Sequence, residues 1–276
     1  DRRGVARGPD QRPDLGGGYV VTGGTPHRLV LFTFDDGPHP VHTRQILDEL
    51  DRRAMHAVFF VVARRLAHAT GAFAEVDDIL RDIAGRGHVI GSHTRDHEIL
   101  TRLSPHELET QVVGAEELIA GAIGARPWLL RPPGGMHDEA VDGYLAERGY
   151  SEVLWTVATE DWLTTDPDVV VANFRRIMVN RERHGTPGGV VVLHDTHPWT
   201  VAAFPRIVDW IEARNCELLE GGEELYDVVD DPRIFVVPRP AGVSPSARSP
   251  SIVLAPDVLA ERQARARTRA EARCGL

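Results

Sequence analysis

The sequence contains no lysine: every basic side chain other than histidine is arginine, and acidic residues outnumber basic ones, giving a formal net charge of −10. A surplus of negative charge argues against binding a phosphate backbone, so nucleic acid is not expected as a partner. The lysine gap itself reads as coding bias in a GC-rich genome. Cysteine is nearly absent too, with Cys216 and Cys274 alone. Two cysteines on either side of an expected linker do not make a disulfide framework, and they leave both their pairing and the redox compartment open. No apolar run approaches the roughly 18 residues of a membrane span. The N-terminal "DRRGVARGPDQRPDLGGGYV" has no signal peptide's apolar centre. The chain starts at Asp1 and not at methionine, which leaves room for a targeting segment ahead of it.

What is present suits a soluble α/β protein. With 276 residues, 42% of them apolar, the chain can bury a sizeable core without staples. Residues 1–27 are rich in Gly, Pro and Arg and read as an extended lead-in. From 28 to about 238, short apolar runs alternate with helical patterns. Strands are expected at 28–34, 56–62, 87–93, 128–132, 151–158, 188–195 and 216–220, and helices near 42–53, 72–85, 105–123, 138–148, 168–183 and 201–214. Ser104, Pro105 and Glu107 make a capping box, and Asp166 or Thr165 caps the helix that follows. About seven strand-then-helix units imply a parallel sheet with right-handed crossovers. That fits a TIM-like barrel of seven strands, with an open doubly wound sheet as the other possibility. Residues 239–276 read as a Pro/Ser linker and an Arg-rich helical tail, either solvated, packed on the domain or serving to dock a partner.

In such folds the active site gathers at the carboxyl ends of the strands. Polar residues end five of the expected strands: Asp35 and Asp36 in "TFDDGP", His93 and His97 in "SHTRDH", Arg131 in "LLRPPGG", Asp161 and Trp162 in "ATEDW", and His194 and Asp195 in "VVLHD". One helical turn would put His93 and His97 on the same face, and a nearby aspartate would complete a divalent-metal triad with room for water and substrate. The other aspartate would then take a proton from an activated water. Which aspartate does which stays open at this point. His194 suits a general acid, raised by Asp161, and Arg131 suits an ion pair with the basic aspartate.

With these residues assembled, the chain resembles the polysaccharide deacetylases, the NodB-homology or carbohydrate esterase family 4 domain. The motifs are "TFDDGP" (33–38), "HTRDH" (93–97), "RPPGG" (131–135), "EDW" (160–162) and "VVLHD" (191–195), within about 28–220. The resemblance implies a distorted (β/α) barrel that removes acetyl groups from N-acetylated, or sometimes O-acetylated, sugars. It implies one divalent metal, zinc by default, with cobalt or nickel also compatible with the ligands. By motif position, Asp35 would be the general base. Asp36, His93 and His97 would hold the metal, Arg131 would orient Asp35, His194 would be the acid and Asp161 its tuner. Trp162 and Leu193 would line the acetyl pocket, and Pro133 and Gly134 would border the substrate.

Three positions depart from the family pattern. Gly134 replaces a tyrosine, Ala158 an acidic or amide residue, and Glu98 a proline. Peptidoglycan or another envelope glycan is the favoured substrate on family grounds, and a monomer outside the cytoplasm is expected. A small-amide amidase and a non-catalytic glycan-binding module are the rival readings.

Overall fold

The computed structural model describes residues 19–66 and 76–275. Most of the expected lead-in (1–18) and the start of the helix expected at 72–85 lie outside the described residues.

The chain forms a distorted barrel of parallel strands: β1 (Val20–Val21), β2 (Leu29–Asp35), β3 (Val58–Val61), β4 (Val89–Ser92), β5 (Leu129–Leu130), β6 (Ser151–Val153), β7 (Val157–Ala158), β8 (Gly189–His194) and β9 (Asp227–Val228). The spatial order is β1-β6-β5-β4-β3-β2-β8-β7, and β9 pairs with the start of β2 below β3. The run 151–158, expected as one strand, is therefore two. β6 stands at one end of the sheet beside β1 and β7 at the other beside β8. Residues 154–156 cross between those ends, and the barrel's seam falls there.

Strand alternation sorts the core. Val30, Phe32 and Phe34 of β2 face outward with Val191 and Leu193, toward the helices, whereas Leu29 and Leu31 face the barrel interior with Phe60 and Val190. Phe204 meets Phe32 and Phe34 edge-on at 5.1 and 5.2 Å. Burying each of these rings contributes roughly 2 kcal/mol or more.

The outer layer comprises α1 (His42–Arg52), α2 (Val76–Gly85), α3 (Pro105–Ile123), α4 (Glu139–Glu147), α5 (Pro167–Arg183), α6 (Pro198–Glu220) and α7 (Pro256–Cys274). The capping box forms at Ser104 and Glu107, and α3 stops at Gly124, whose φ of 74° only glycine adopts cheaply. Asp166 caps α5.

Residues 216–220 are not a strand but the last turns of α6. Phe204, Ile207, Ile211, Asn215, Leu218 and Leu219 share its buried face at helical spacing. The Asn215 amide holds the Tyr226 backbone at both N–H and C=O. Cys216 consequently faces α7, where it forms a disulfide with Cys274. α7 also buries Ala266 and Ala270 and brings Arg262 and Arg269 to Asp227, each at 2.7 Å. Ahead of α7, Ser249 and Ile252 donate backbone hydrogen bonds to Val20 and Gly24. The Pro/Ser stretch is thereby laid along β1 rather than left free.

Candidate active site

Asp35 is the last residue of β2 and lies in register with His194 on β8. It is 3% exposed. Arg131, wholly buried just beyond β5, donates from Nη1 to Asp35 Oδ1 at 2.6 Å and to the Thr33 hydroxyl at 2.8 Å. Nε donates to the Val153 carbonyl and Nη2 to the Leu154 carbonyl across the seam, and Phe60 stacks over the group at 4.2 Å. Burial raises the Asp35 pKa above the ordinary carboxylate value, while Arg131 and His194 act to lower it.

Asp36 leaves the strand with φ 72°, so its side chain escapes the alternation and turns toward the loop after β4. Its Oδ1 stands 3.3 Å from His97 Nε2 and 3.6 Å from His93 Nε2. The two imidazoles come together without the expected helical turn. Residues 93–97 form a loop in which Thr94 and His97 adopt φ of 67° and 66°. Gln111 of α3 holds that loop: its side chain bonds the Asp96 N–H and carboxylate, and its carbonyl accepts from Arg95 N–H. His93 Nδ1 lies 2.7 Å from the Arg131 carbonyl, so Nδ1–H donates and Nε2 keeps its lone pair. Burial pushes the His93 pKa down, which keeps the ring neutral.

His194 Nδ1 lies 2.8 Å from Asp161 Oδ1. The buried Asp161 also accepts from His194 N–H at 2.8 Å and from Thr200 Oγ1 at 2.6 Å, while Trp199 Nε1 donates to its carbonyl. Burial works against a charged His194, but the Asp161 hydrogen bond and charge outweigh it and lift the pKa to about 9. Nε2 is left for a substrate. Trp162 packs edge-on against His194 at 5.4 Å and is 43% exposed.

Among the other expected residues, Gly134 is exposed in the turn Pro133–Gly135 with φ 64°, and Pro133 is buried beneath it. Leu193 does not come to the open site. One residue before His194, it points to the other face of β8 and is fully buried in the cluster with Phe34 and Phe204.

Three supporting residues escaped the sequence reading: Thr33, Gln111 and Thr200, while Asp195, expected at the end of its strand beside His194, is buried away from the rim's open side. Asp195 is buried, accepts from the Thr43 hydroxyl, and has its pKa pushed up to about 7 by burial. A Cβ on Gly37 would run into the Asp195 oxygens, which accounts for the glycine in "DDGP".

The polysaccharide deacetylase family model matches residues 22–153, a span that includes Asp35, Asp36, His93, His97 and Arg131. A chitooligosaccharide deacetylase of Bradyrhizobium is 31% identical over 172 residues, covering 62% of this chain and 72% of that protein. The peptidoglycan-N-acetylmuramic acid deacetylase PdaC of Bacillus subtilis is 30% identical over 193 residues. That alignment takes in 70% of this chain but only 38% of the longer relative. A solved structure of T48 deacetylase with substrate superposes with a TM-score of 0.60 at 31% identity, covering 83% of this chain and 97% of that one. The chain belongs to the polysaccharide deacetylase family.

Proposed function

We propose that this protein is a metal-dependent N-deacetylase of a glycan built from N-acetylated sugars, with an envelope glycan such as peptidoglycan as the preferred substrate. The observation that carries the reading is one rim holding a three-donor metal set, a carboxylate–arginine pair and a carboxylate–imidazole pair. The donor set fits a divalent cation. Asp36, His93 and His97 bring their ligand atoms within 4.8 Å of one another. Asp36 Oδ1 is buried and accepts no hydrogen bond, and His93 Nδ1 is already committed to a carbonyl. Zinc suits two imidazoles and a carboxylate, and cobalt or nickel would also be accepted.

When bound, such a cation supplies Lewis acidity, polarising the amide carbonyl and acidifying a water. The chain's own groups handle the protons. Arg131 holds the Asp35 carboxylate in place and ionised, so that Asp35 Oδ2 takes a proton from the attacking water. In this reading the Gly134 N–H donates to the developing oxyanion. His194, kept cationic by Asp161, delivers its Nε2 proton to the departing sugar nitrogen, and acetate and a free amine result. Trp162 offers an apolar wall to the acetyl methyl.

An open rim carrying the exposed Met136, Trp162 and Leu163 favours a polymeric glycan over a small enclosed amide. Envelope glycans lie at the cell exterior, and the proposal accordingly has the protein act outside the cytoplasm. Acetate release from N-acetyl chito-oligosaccharide and from peptidoglycan tests the reading. Asp35→Asn or His194→Ala should lower kcat at least about a hundredfold with the fold intact. Wild-type-like turnover by either variant sinks the assignment, as does turnover insensitive to a chelator.

A further inference from the structure

Away from the strand-end rim, three side chains converge that have no part in the reaction above. His137 follows the turn bearing Gly134, Asp142 lies on α4, and Glu152 lies on β6. His137 Nδ1 is 3.1 Å from each Asp142 oxygen and 3.5 Å from Glu152 Oε1. Donors from all three lie within 4.8 Å of one another. Asp142 and Glu152 are each 3% exposed, while His137 is half-buried and opens the cluster to solvent. The cluster sits outside the barrel. Leu130, paired with Glu152, packs with Val141 and Leu145 under α4, whereas Val153, the next residue, packs in the barrel interior.

Glu152 is the telling residue. Neither of its carboxylate oxygens receives a hydrogen bond. No arginine pairs with it or with Asp142 among the described residues; His137 is the sole cationic partner of both. A buried carboxylate lacking donors is costly, and two beside one imidazole leave negative charge uncompensated unless they share a proton or bind a cation. One ion bonded at about 2.0–2.2 Å in a near-tetrahedral shell holds its donors about 3.4 Å apart, close to the spacings observed.

We propose that His137 Nδ1, Asp142 and Glu152 form a second divalent-cation site that clamps the Gly134 turn to α4 and β6. One imidazole and two carboxylates suit zinc, with water taking the remaining position on the solvent side of His137. The ion lies on the far face of the sheet from Asp35 and Arg131, so it acts on the position of the turn, not on the reacting atoms.

The competing arrangement is a carboxyl–carboxylate pair that shares a proton beside His137. The two arrangements differ in metal stoichiometry. Chelator-stripped protein is titrated with zinc alone and counted by equilibrium dialysis. The wild type should take up two equivalents, Asp36→Ala/His97→Ala one, and Glu152→Gln one. His137→Gln alters a half-exposed side chain and should lose the same equivalent, which keeps the test sound if Glu152→Gln folds poorly. In the Asp36→Ala/His97→Ala background, which is independent of the proposed deacetylation, zinc at a hundredfold excess over Kd should raise Tm by about 5 °C or more. Adding Glu152→Gln should cancel that rise. A wild type that takes up a single equivalent, lost entirely in Asp36→Ala/His97→Ala, overturns the proposal. So does a His137→Gln protein that retains two.

Discussion

The His194–Asp161 pair carries a prediction whose size the structure sets. Burial alone would hold the His194 pKa below its ordinary 6.5, yet Asp161 lifts it to about 9, with smaller help from Asp35 and Asp36. The lift is worth about 3 kcal/mol in favour of the imidazolium. Asp161→Asn keeps the shape and removes the charge, so burial then dominates and the imidazole titrates below about 6.5. At pH 7.5 the cationic fraction falls from about 97% to below about 10%, and kcat/KM should fall at least about tenfold for that reason alone. The alkaline limb of the pH profile should move down by more than about two pH units, while the acid limb, which the proposed mechanism assigns to Asp35, stays near its place. A bound cation lowers both proteins' limbs alike, so the comparison between them carries the test. An NMR titration of the His194 ring in metal-free protein reads the same shift directly. The linked stability has a definite sign. A folded-state pKa raised above the unfolded one gives stabilisation that is complete below about pH 6.5 and lost as pH rises through about 9. Urea unfolding at both ends of that window should find the wild type losing up to about 3 kcal/mol and the variant far less. Superimposable alkaline limbs in wild type and Asp161→Asn would refute the reasoning.

Reducing the disulfide, or making Cys216→Ser/Cys274→Ser, frees a loop whose ends are 58 residues apart in sequence. The chain-entropy estimate for it is about 4 kcal/mol as an upper figure, so Tm measured with and without reductant should drop in the wild type and not respond in the double variant. Arg131→Met leaves the buried Asp35 without its cation and should cost about 3–5 kcal/mol in urea unfolding, together with activity. A loss below about 1 kcal/mol would contradict the buried pairing. Gly37→Ala forces its methyl into the Asp195 carboxylate and should destabilise by about 1–3 kcal/mol, which a Tm equal to wild type would rule out.

Long alternations of strand and helix were legible in the sequence because each carries its own period and cap: β2, β8, α3 and α5 stand close to their expected bounds. Short apolar runs were not. "CELLE" fits a strand or a helix equally well, and only its register with Phe204, Ile207 and Ile211 along α6 decides for helix. The disulfide stayed open in the sequence because an expected linker separates the two cysteines, whereas the packing of α7 on α6 brings Cys274 to Cys216. The break between β6 and β7 had no local signal, because each strand is defined by a partner distant in sequence. His93 and His97 meet as expected for the wrong reason. Their spacing suggested a helical turn, whereas left-handed residues at 94 and 97 and the Gln111 side chain make the loop.

The division between Asp35 and Asp36 turns on the same kind of backbone detail. Both carboxylates stand near His93, at 3.9 Å for Asp35 Oδ2 and 3.6 Å for Asp36 Oδ1. Proximity therefore does not separate them. Their existing partners do. Asp35 is still in the strand, faces the interior, and already gives one oxygen to Arg131 at 2.6 Å. A carboxylate so paired has surrendered much of its charge to a buried guanidinium, which itself would repel a second cation held close by. Asp36 has left the strand at positive φ, accepts no hydrogen bond from a guanidinium among the described residues, and presents an oxygen without a donor between two imidazoles. Electrostatics thus favours Asp36 as the ligand and Asp35 as the base. The left-handed turn at residue 36 is what lets two adjacent acids face different partners, Arg131 for Asp35 and the two imidazoles for Asp36.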